Sequence, residues 1–430
     1  MTMLSIGLLA AFLILLALGV PVAFAMAISG TAVVVAAGYP PDVVVHRTII
    51  GMDDFLLVAI PLFILAAAIM EKGDISSRLM TLLTGVMGRF KSGLPNSIVV
   101  AEMFFSGISG STVADISAVS AMTVKPMERR GFRRSFTLAV VSASSAFGIL
   151  IPPCILMVVM AAMVNSSVLA VFVAGLLPAL LLGVMTMAMV VWRTRRQEVA
   201  APVTQAVPAR QIARAAADCG WALGLPVLIF GGVVLGVATA TEIAAVADLY
   251  SLFVAVVIYR SLSLAALRRC LIETGVATGA LAVLFGFATI VSFLLARFGV
   301  PAEVATLAAG LTESSTIIML IFALVFVVMG SVLEGMPAVL IFVPVLFPVA
   351  SEFGVHPVHF QIVVVTAIGI GLFLPPSGLG LLIASQIGQT PVPAVTRELA
   401  PFLAVLLVGL AMLAAFPLIS TVVPSILGVR

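Results

Sequence analysis

Charge is what this chain of 430 residues lacks most. Asp, Glu, Lys and Arg together make up 9% of it, against about 25% in soluble globular domains. A soluble fold is thereby excluded, and 63% hydrophobic residues with a mean hydropathy of +1.32 place the chain in lipid. Cysteine is nearly absent: Cys154, Cys219 and Cys270 stand in separate segments without metal or redox spacing, so no zinc site or disulfide framework is expected. Only three lysines occur, Lys72, Lys91 and Lys125, and none follows a glycine. There is therefore no Gly-Lys-Ser/Thr phosphate loop, which excludes ATP hydrolysis by that route. No His-Glu-x-x-His helix is present, and His356 and His359 lack a third metal ligand nearby. No basic patch is interleaved with aromatic residues, so nucleic acid is not an expected partner. Strand alternation is missing as well, which leaves a helical bundle as the solution that satisfies a spanning backbone.

What is present is a series of apolar runs, at 4–38, 55–70, 168–192, 222–241, 276–296 and 402–423. They match or approach the roughly 20 residues needed to cross a hydrocarbon core. The first run has no positive flank, since the first Lys or Arg is Arg47, so it reads as retained membrane helix rather than a secretory signal. Two short crossings bent at Gly19-Val20-Pro21 would fit it. Lys125, Arg129, Arg130, Arg133 and Arg134 gather in one loop, and Arg193, Arg195 and Arg196 follow the run 168–192. Both places should be cytoplasmic.

The chain also repeats itself. Gly107, Gly131, Gly148, Pro152 and Pro153 recur 223 residues later as Gly330, Gly354, Gly371, Pro375 and Pro376. The counterpart of the basic loop, through Ala350-Ser351-Glu352-Phe353-Gly354, has no Lys or Arg, so the second copy should lie upside down. The expected fold is an all-α polytopic membrane protein of two inverted-topology repeats, each with a re-entrant helical hairpin and a broken transmembrane helix. The first repeat is 1–192, with its hairpin at 94–125 and broken helix at 135–163. A cytoplasmic linker with a surface helix follows at 193–221. The second repeat is 222–430, with its hairpin at 315–350 and broken helix at 358–388. Roughly ten to twelve spans are expected.

Irregular backbone at membrane depth costs several kcal/mol per unpaired group unless protein, water or a ligand satisfies it. Where a helix stops in mid-membrane, its free carbonyls favour a cation, and the next half-helix offers amides to an anion. The tip Ser106-Gly107-Ile108-Ser109-Gly110-Ser111 supplies carbonyls and hydroxyls suited to a hard monovalent cation such as sodium. A proline lacks the N–H that would bond four residues back. Pro152 and Pro153 should accordingly free the carbonyls of Gly148 and Ile149, and Pro375 and Pro376 those of Gly371 and Leu372. Two readings stand open for Asp115 and Glu102: each either braces the hairpin or touches an ion. Glu242 and Asp248 read as structural groups of a scaffold helix.

Three stretches carry a family resemblance: Phe105-Ser106-Gly107-Ile108-Ser109-Gly110-Ser111-Thr112-Val113-Ala114-Asp115, Lys125-Pro126-Met127-Glu128-Arg129-Arg130-Gly131-Phe132, and Ser144-Ser145 to Pro152-Pro153. Gly330-Ser331-Val332-Leu333-Glu334-Gly335, His359-Phe360 and Leu374-Pro375-Pro376-Ser377-Gly378 continue it in the second half. The chain resembles the large membrane subunit of tripartite ATP-independent periplasmic (TRAP) transporters along nearly its whole length. The resemblance implies a sodium-driven elevator in the bacterial inner membrane, with a small four-helix membrane subunit and a periplasmic solute-binding protein that delivers an organic acid. It implies one sodium site at Ser106, Gly107, Ser109, Gly110, Ser111 and Gly148, and a second at Gly330, Glu334, Gly335, Gly371 and Ser377. Ser111, Thr112, Pro152, Pro153, Gly335, Pro375 and Pro376 would adjoin the substrate between the tips. Glu334-Gly335-Met336-Pro337 and Leu374 depart from the family pattern, and Glu334 either ligates directly or turns outward. A stand-alone sodium/carboxylate symporter is the rival reading, and an intramembrane enzyme a remote one.

Overall fold

Gly and Pro punctuation cuts the apolar sequence into helices, with Gly19 at φ +82 and Pro21 between the first two. The computed structural model describes residues 3–53, 55–73, 82–83, 92–195, 209–234, 238–375 and 377–429, so the expected inner-surface stretch 78–91 and Pro376 lie essentially outside the described residues. The helices of the first half are α1 (Met3–Ala17), α2 (Val22–Ala36), α3 (Asp42–Met52), α4 (Ala59–Lys72), α5 (Gly93–Ser109), α6 (Thr112–Arg129), α7 (Arg134–Gly148), α8 (Ile155–Val164) and α9 (Val168–Arg195). They are followed by α10 (Ala209–Val234), α11 (Ala240–Phe253), α12 (Leu264–Arg297), α13 (Val300–Leu311), α14 (Ser315–Val332), α15 (Gly335–Glu352), α16 (Pro357–Gly371), α17 (Leu379–Ile387), α18 (Val392–Ala415) and α19 (Leu418–Ile426). Among the described residues no strand occurs, and six helices are long and apolar enough to cross a membrane.

Shifted by 223 residues, α6 and α7 coincide with α15 and α16 at both ends, and α5, α8 and α9 fall on α14, α17 and α18 to within a few residues. The contacts are reciprocal. Helix α6 packs on α17 while its counterpart α15 packs on α8, and α7 packs on α18 while α16 packs on α9. Helices α7 and α16 cross at counterpart residues, because a Cβ on Gly369 would run into the carbonyl oxygen of Ala146. A residue that meets its own counterpart lies on a two-fold axis, as in an isologous dimer. Only glycine permits so close a crossing.

Around this paired core stand α4, α11 and α12, with α2 and α3 laid along α12. The Arg47 guanidinium sits 4.2 Å from the Phe293 ring centroid and Lys72 pairs with Glu273 at 2.5 Å. Glu398 on α18 bonds to Arg193 at the end of α9 and lies 3.8 Å from Arg133 before α7, joining the two copies. Phe326 and Phe347 of the second hairpin pack on Phe360 of α16, and Phe326 also on Phe342, with ring centroids 5.4–6.4 Å apart.

Three expectations are corrected. The surface helix and first crossing of the second half, divided at 221 and 222 in the sequence reading, are one helix, α10. Its alanine-rich start has high helix propensity and no breaker between Ala209 and Cys219. Helix α12 begins at Leu264 instead of 276, because Ser263 caps it by accepting the Ala266 amide at 3.2 Å. The apolar run 402–423, long enough for one crossing, is divided between two helices, which end and restart at Phe416-Pro417, where proline cannot continue the ladder.

Candidate functional site

The two hairpin tips end alike. The last backbone bond of α5 runs from the Gly110 amide to the Ser106 carbonyl at 3.0 Å, and that of α14 from Leu333 to Met329 at 2.7 Å, which are counterpart positions. Among the described residues no backbone amide donates to the next carbonyl in either tip, that of Gly107 or Gly330. Gly110 turns the chain at φ +61, a left-handed conformation glycine adopts without strain. The Ser109 hydroxyl donates to the Asp115 carboxylate and accepts the Ser111 amide at 3.0 Å. Asp115 thus holds the Ser109 hydroxyl at the turn through one oxygen, and it is fully buried with its Oδ2 unpaired.

Each tip rests on the break of its own copy. The Cβ positions of Gly107 and Gly110 lie 3.2 and 2.9 Å from the carbonyl oxygens of Pro152 and Pro153, so these oxygens face the tip. A Cβ on Gly148 would lie 3.0 Å from the Ser106 Cβ, and one on Gly371 would lie 2.9 Å from the Gly330 Cα. Three of the four carbonyls expected to be free find amides, and among the described residues only that of Ile149 accepts none. Gly148 and Gly371 accept the Ile151 and Leu374 amides at 2.8 and 2.9 Å, and Leu372 accepts the Gly380 amide at 2.9 Å. The chain tightens to i, i+3 bonds after each helix end, which satisfies carbonyls that proline had denied a partner. Each of these oxygens keeps its second lone pair.

Both tips border one cavity of about 670 Å³. Four half-helices begin on it: α6 through Ser111–Ala114, α8 through Cys154–Leu156, α15 through Glu334–Pro337, and α17 through Leu379 and Gly380. None of the four residues that precede these helices makes a side-chain cap hydrogen bond. Apart from the Gly380 amide, which donates to Leu372, their first-turn amides and positive dipole ends make the tip side of the cavity a place for negative charge. The opposite wall is α4 and α12, including Ala67, Glu71, Glu273 and Ala277. Among the described residues no Lys, Arg or His lines the cavity.

Of the expected site residues, Ser109, Gly110, Ser111, Thr112, Glu334 and Gly335 line this cavity. Ser106, Gly107, Gly148, Gly330 and Gly371 are buried behind it, between tip and break. Pro152, Pro153 and Pro375 do not line it, because the tips stand in front of them, and Pro376 is outside the described residues. Ser377 and Glu334 are exposed. Glu102 is fully buried one turn below Ser106. The α4 and α12 wall was missed by sequence reasoning. Its one local signal is small residues at helical spacing, Ala277 and Ala280, which permit close approach.

Residues 9–419 match the family described as tripartite ATP-independent periplasmic transporter, DctM component. The chain belongs to this family. It is 35% identical over 376 residues, 87% of this chain and 88% of the relative, to the C4-dicarboxylate TRAP transporter large permease protein DctM of Pseudomonas aeruginosa. It is 32% identical over 416 residues to the isethionate TRAP transporter permease protein DctMQ of Oleidesulfovibrio alaskensis; these residues are 96% of this chain but only 64% of that longer protein. The fold is similar to the solved structure of the Alcanivorax borkumensis YdaH transporter, with a TM-score of 0.61 and 13% identity over 86% of both chains. As a DctM-family permease, the chain is a multi-pass protein of the bacterial inner membrane and not an enzyme.

Proposed function

We propose that this chain is the large permease subunit of a sodium-driven uptake system for an organic acid. The observation that carries the reading is the meeting, around one cavity, of two tips with unpaired carbonyls and four uncapped half-helix N-termini. The carbonyls suit a small cation, since neutral oxygens suffice for one positive charge, and the N-termini suit an anion. In this reading one sodium ion is held by Ser106, Gly107, Ser109, Gly110, Ser111 and Gly148. A second is held by Gly330, Gly335, Gly371 and Ser377 with Glu334. The acid lies against Ser111, Thr112 and Gly335, and a cavity of about 670 Å³ accommodates the C4-dicarboxylate or isethionate named for the relatives. Hairpins and broken helices move together as an elevator past the α4 and α12 wall. A small four-helix membrane subunit braces that wall, and a periplasmic solute-binding protein delivers the acid; sodium, not ATP, drives uptake.

The test is uptake into proteoliposomes holding the chain with its small subunit, under a sodium gradient, with and without the loaded receptor. Uptake should require both the receptor and sodium, and Ser109→Ala and Ser111→Ala should raise the sodium concentration for half-maximal rate. Full-rate transport by the chain alone would replace this reading with a stand-alone symporter. An unchanged sodium dependence in both variants would remove the first tip from the coupling site.

A further inference from the structure

Beneath the first tip, α5 carries an acid for which the preceding reading has no use. Glu102, Ser106 and Ser109 are spaced four and three residues apart, so they share one face of α5. That face looks onto Asp115 of α6 and onto Ser145 and Gly148 of α7. Glu102, Asp115 and Ser145 are all fully buried. The two acids are treated differently by their surroundings. Asp115 accepts the Ser109 hydroxyl and faces Ser106 with its Oδ2 unpaired, whereas the Glu102 carboxylate faces the Ser145 hydroxyl without a bond of full hydrogen-bond geometry to it. The charged groups around the pair are acidic: each faces the other, and Glu71 lies beyond Asp115. Among the described residues no Lys, Arg or His bonds to either carboxylate.

A carboxylate removed from water beside another carboxylate, without a counter-charge, is a strongly unfavourable arrangement. We propose that Glu102, Asp115 and Ser145 hold a further monovalent cation of the sodium class, one helical turn below the tip carbonyls. The donors are all oxygens, two carboxylates and a hydroxyl, the set that a hard cation takes. The duplication supplies an internal control. The counterparts of Glu102, Asp115 and Ser145 are Val325, Ala338 and Ile368, so the second copy has the tip and the break but not this site. The site belongs to the first copy alone, and it stands whether or not the tips bind sodium.

Equilibrium dialysis of the purified chain in detergent against radioactive sodium tests this, with sodium chloride exchanged for choline chloride at constant ionic strength. The saturating amount of sodium held per chain counts bound ions, and the concentration at half-saturation gives their affinity. In Glu102→Gln that count should fall by one, and in Ser145→Ala the same site should weaken by about tenfold, the equivalent of one lost ligand to a charged group. Ser109→Ala should leave the Glu102-dependent step in place, which separates this site from the tip. Should Glu102→Gln fail to fold, Ser145→Ala carries the test. An unchanged sodium count and affinity in these variants overturns the proposal. So does an infrared spectrum of the unsubstituted protein with a protonated carboxyl band that Glu102→Gln removes and saturating sodium does not, since a proton would then neutralise the acid.

Discussion

Gly148 and Gly371 offer a matched pair of perturbations. Each is the last residue of its helix, α7 or α16, and the two are counterparts in the repeat. The gain in helix propensity on substitution by alanine, about 0.5–1 kcal/mol, is therefore common to both and cancels in the comparison. What differs is the neighbour. A Cβ on Gly148 meets the Ser106 side chain, with Cβ at 3.0 Å and Oγ at 3.1 Å, and a shift of a few tenths of an ångström relieves the contact. A Cβ on Gly371 runs into the Val327 carbonyl and lies 2.9 and 3.0 Å from the Cα and carbonyl carbon of Gly330, which are backbone atoms in a packed crossing. Overpacking costs about 1–3 kcal/mol, and backbone relaxes least. Gly371→Ala should thus cost about 2 kcal/mol more than Gly148→Ala, which should be near neutral. The assay is the apparent melting temperature of detergent-solubilised protein at one fixed heating rate, read as a ranking because such unfolding is irreversible. Equal losses in the two variants, or a larger loss in Gly148→Ala, would refute the claim that the second tip sits backbone-to-backbone on its break.

Three further outcomes follow from other contacts. Glu398→Ala leaves Arg193, 27% exposed, without its partner and should destabilise the chain by about 2 kcal/mol, with Arg193→Ala and Glu398→Ala together costing less than their sum in the same melting assay. Gln361 is fully buried with its Oε1 unpaired, and its counterpart in the first copy is Leu138. Gln361→Leu should be neutral or stabilising by about 1 kcal/mol, since the Ser166 hydroxyl it releases borders a polar cavity, whereas Gln361→Ala should cost about 2 kcal/mol. Lys72→Met removes an ion pair whose side chains are 28% and 59% exposed and should change stability by less than about 1 kcal/mol; a larger loss would mean that this pair, rather than helix packing, holds α4 to α12.

Breakers made the hairpins and broken helices legible in the sequence, because Gly107, Gly110, Pro152 and Pro375 act within a few residues of themselves. Helix ends at Ser109, Gly148, Val332 and Gly371 follow from that local chemistry. The hydrogen-bond fate of the freed carbonyls did not. Gly148 and Gly371 are satisfied by tight turns, and Leu372 by an amide eight residues on, choices set by how the chain re-enters the core. Arg210 and Arg214 suggested a surface piece separate from the crossing, but charge reports solvent exposure and not helix continuity, and alanine carried α10 through. The cavity wall was equally silent, since alanines on α4 and α12 look like any lipid-facing residues until the tips are packed opposite them.

The two-fold relation is a property of the backbone, and the side chains break it in a directed way. Unpaired tip carbonyls occur at Gly107 and Gly330 alike, so whatever those carbonyls do is common to both copies. Charge is not shared so evenly. Ser111 and Glu334 are counterparts, each preceding a half-helix that starts on the cavity, so the first tip presents amides behind a neutral residue and the second presents amides behind a carboxylate. Negative charge near a helix N-terminus offsets its dipole, and each end has one acid, Glu334 before α15 and Asp115 inside the first turn of α6, where the proposed cation would neutralise it. The buried acids Glu102 and Asp115 have no acidic counterpart in the second copy, and they lie beneath the first tip. A cation held there would reinforce the attraction of an anion from below, whereas an empty pair of carboxylates would oppose it. On the two proposals made above, the affinity of the first tip for an anion would be tied to the occupancy of the site beneath it, and by linkage the reverse would hold as well.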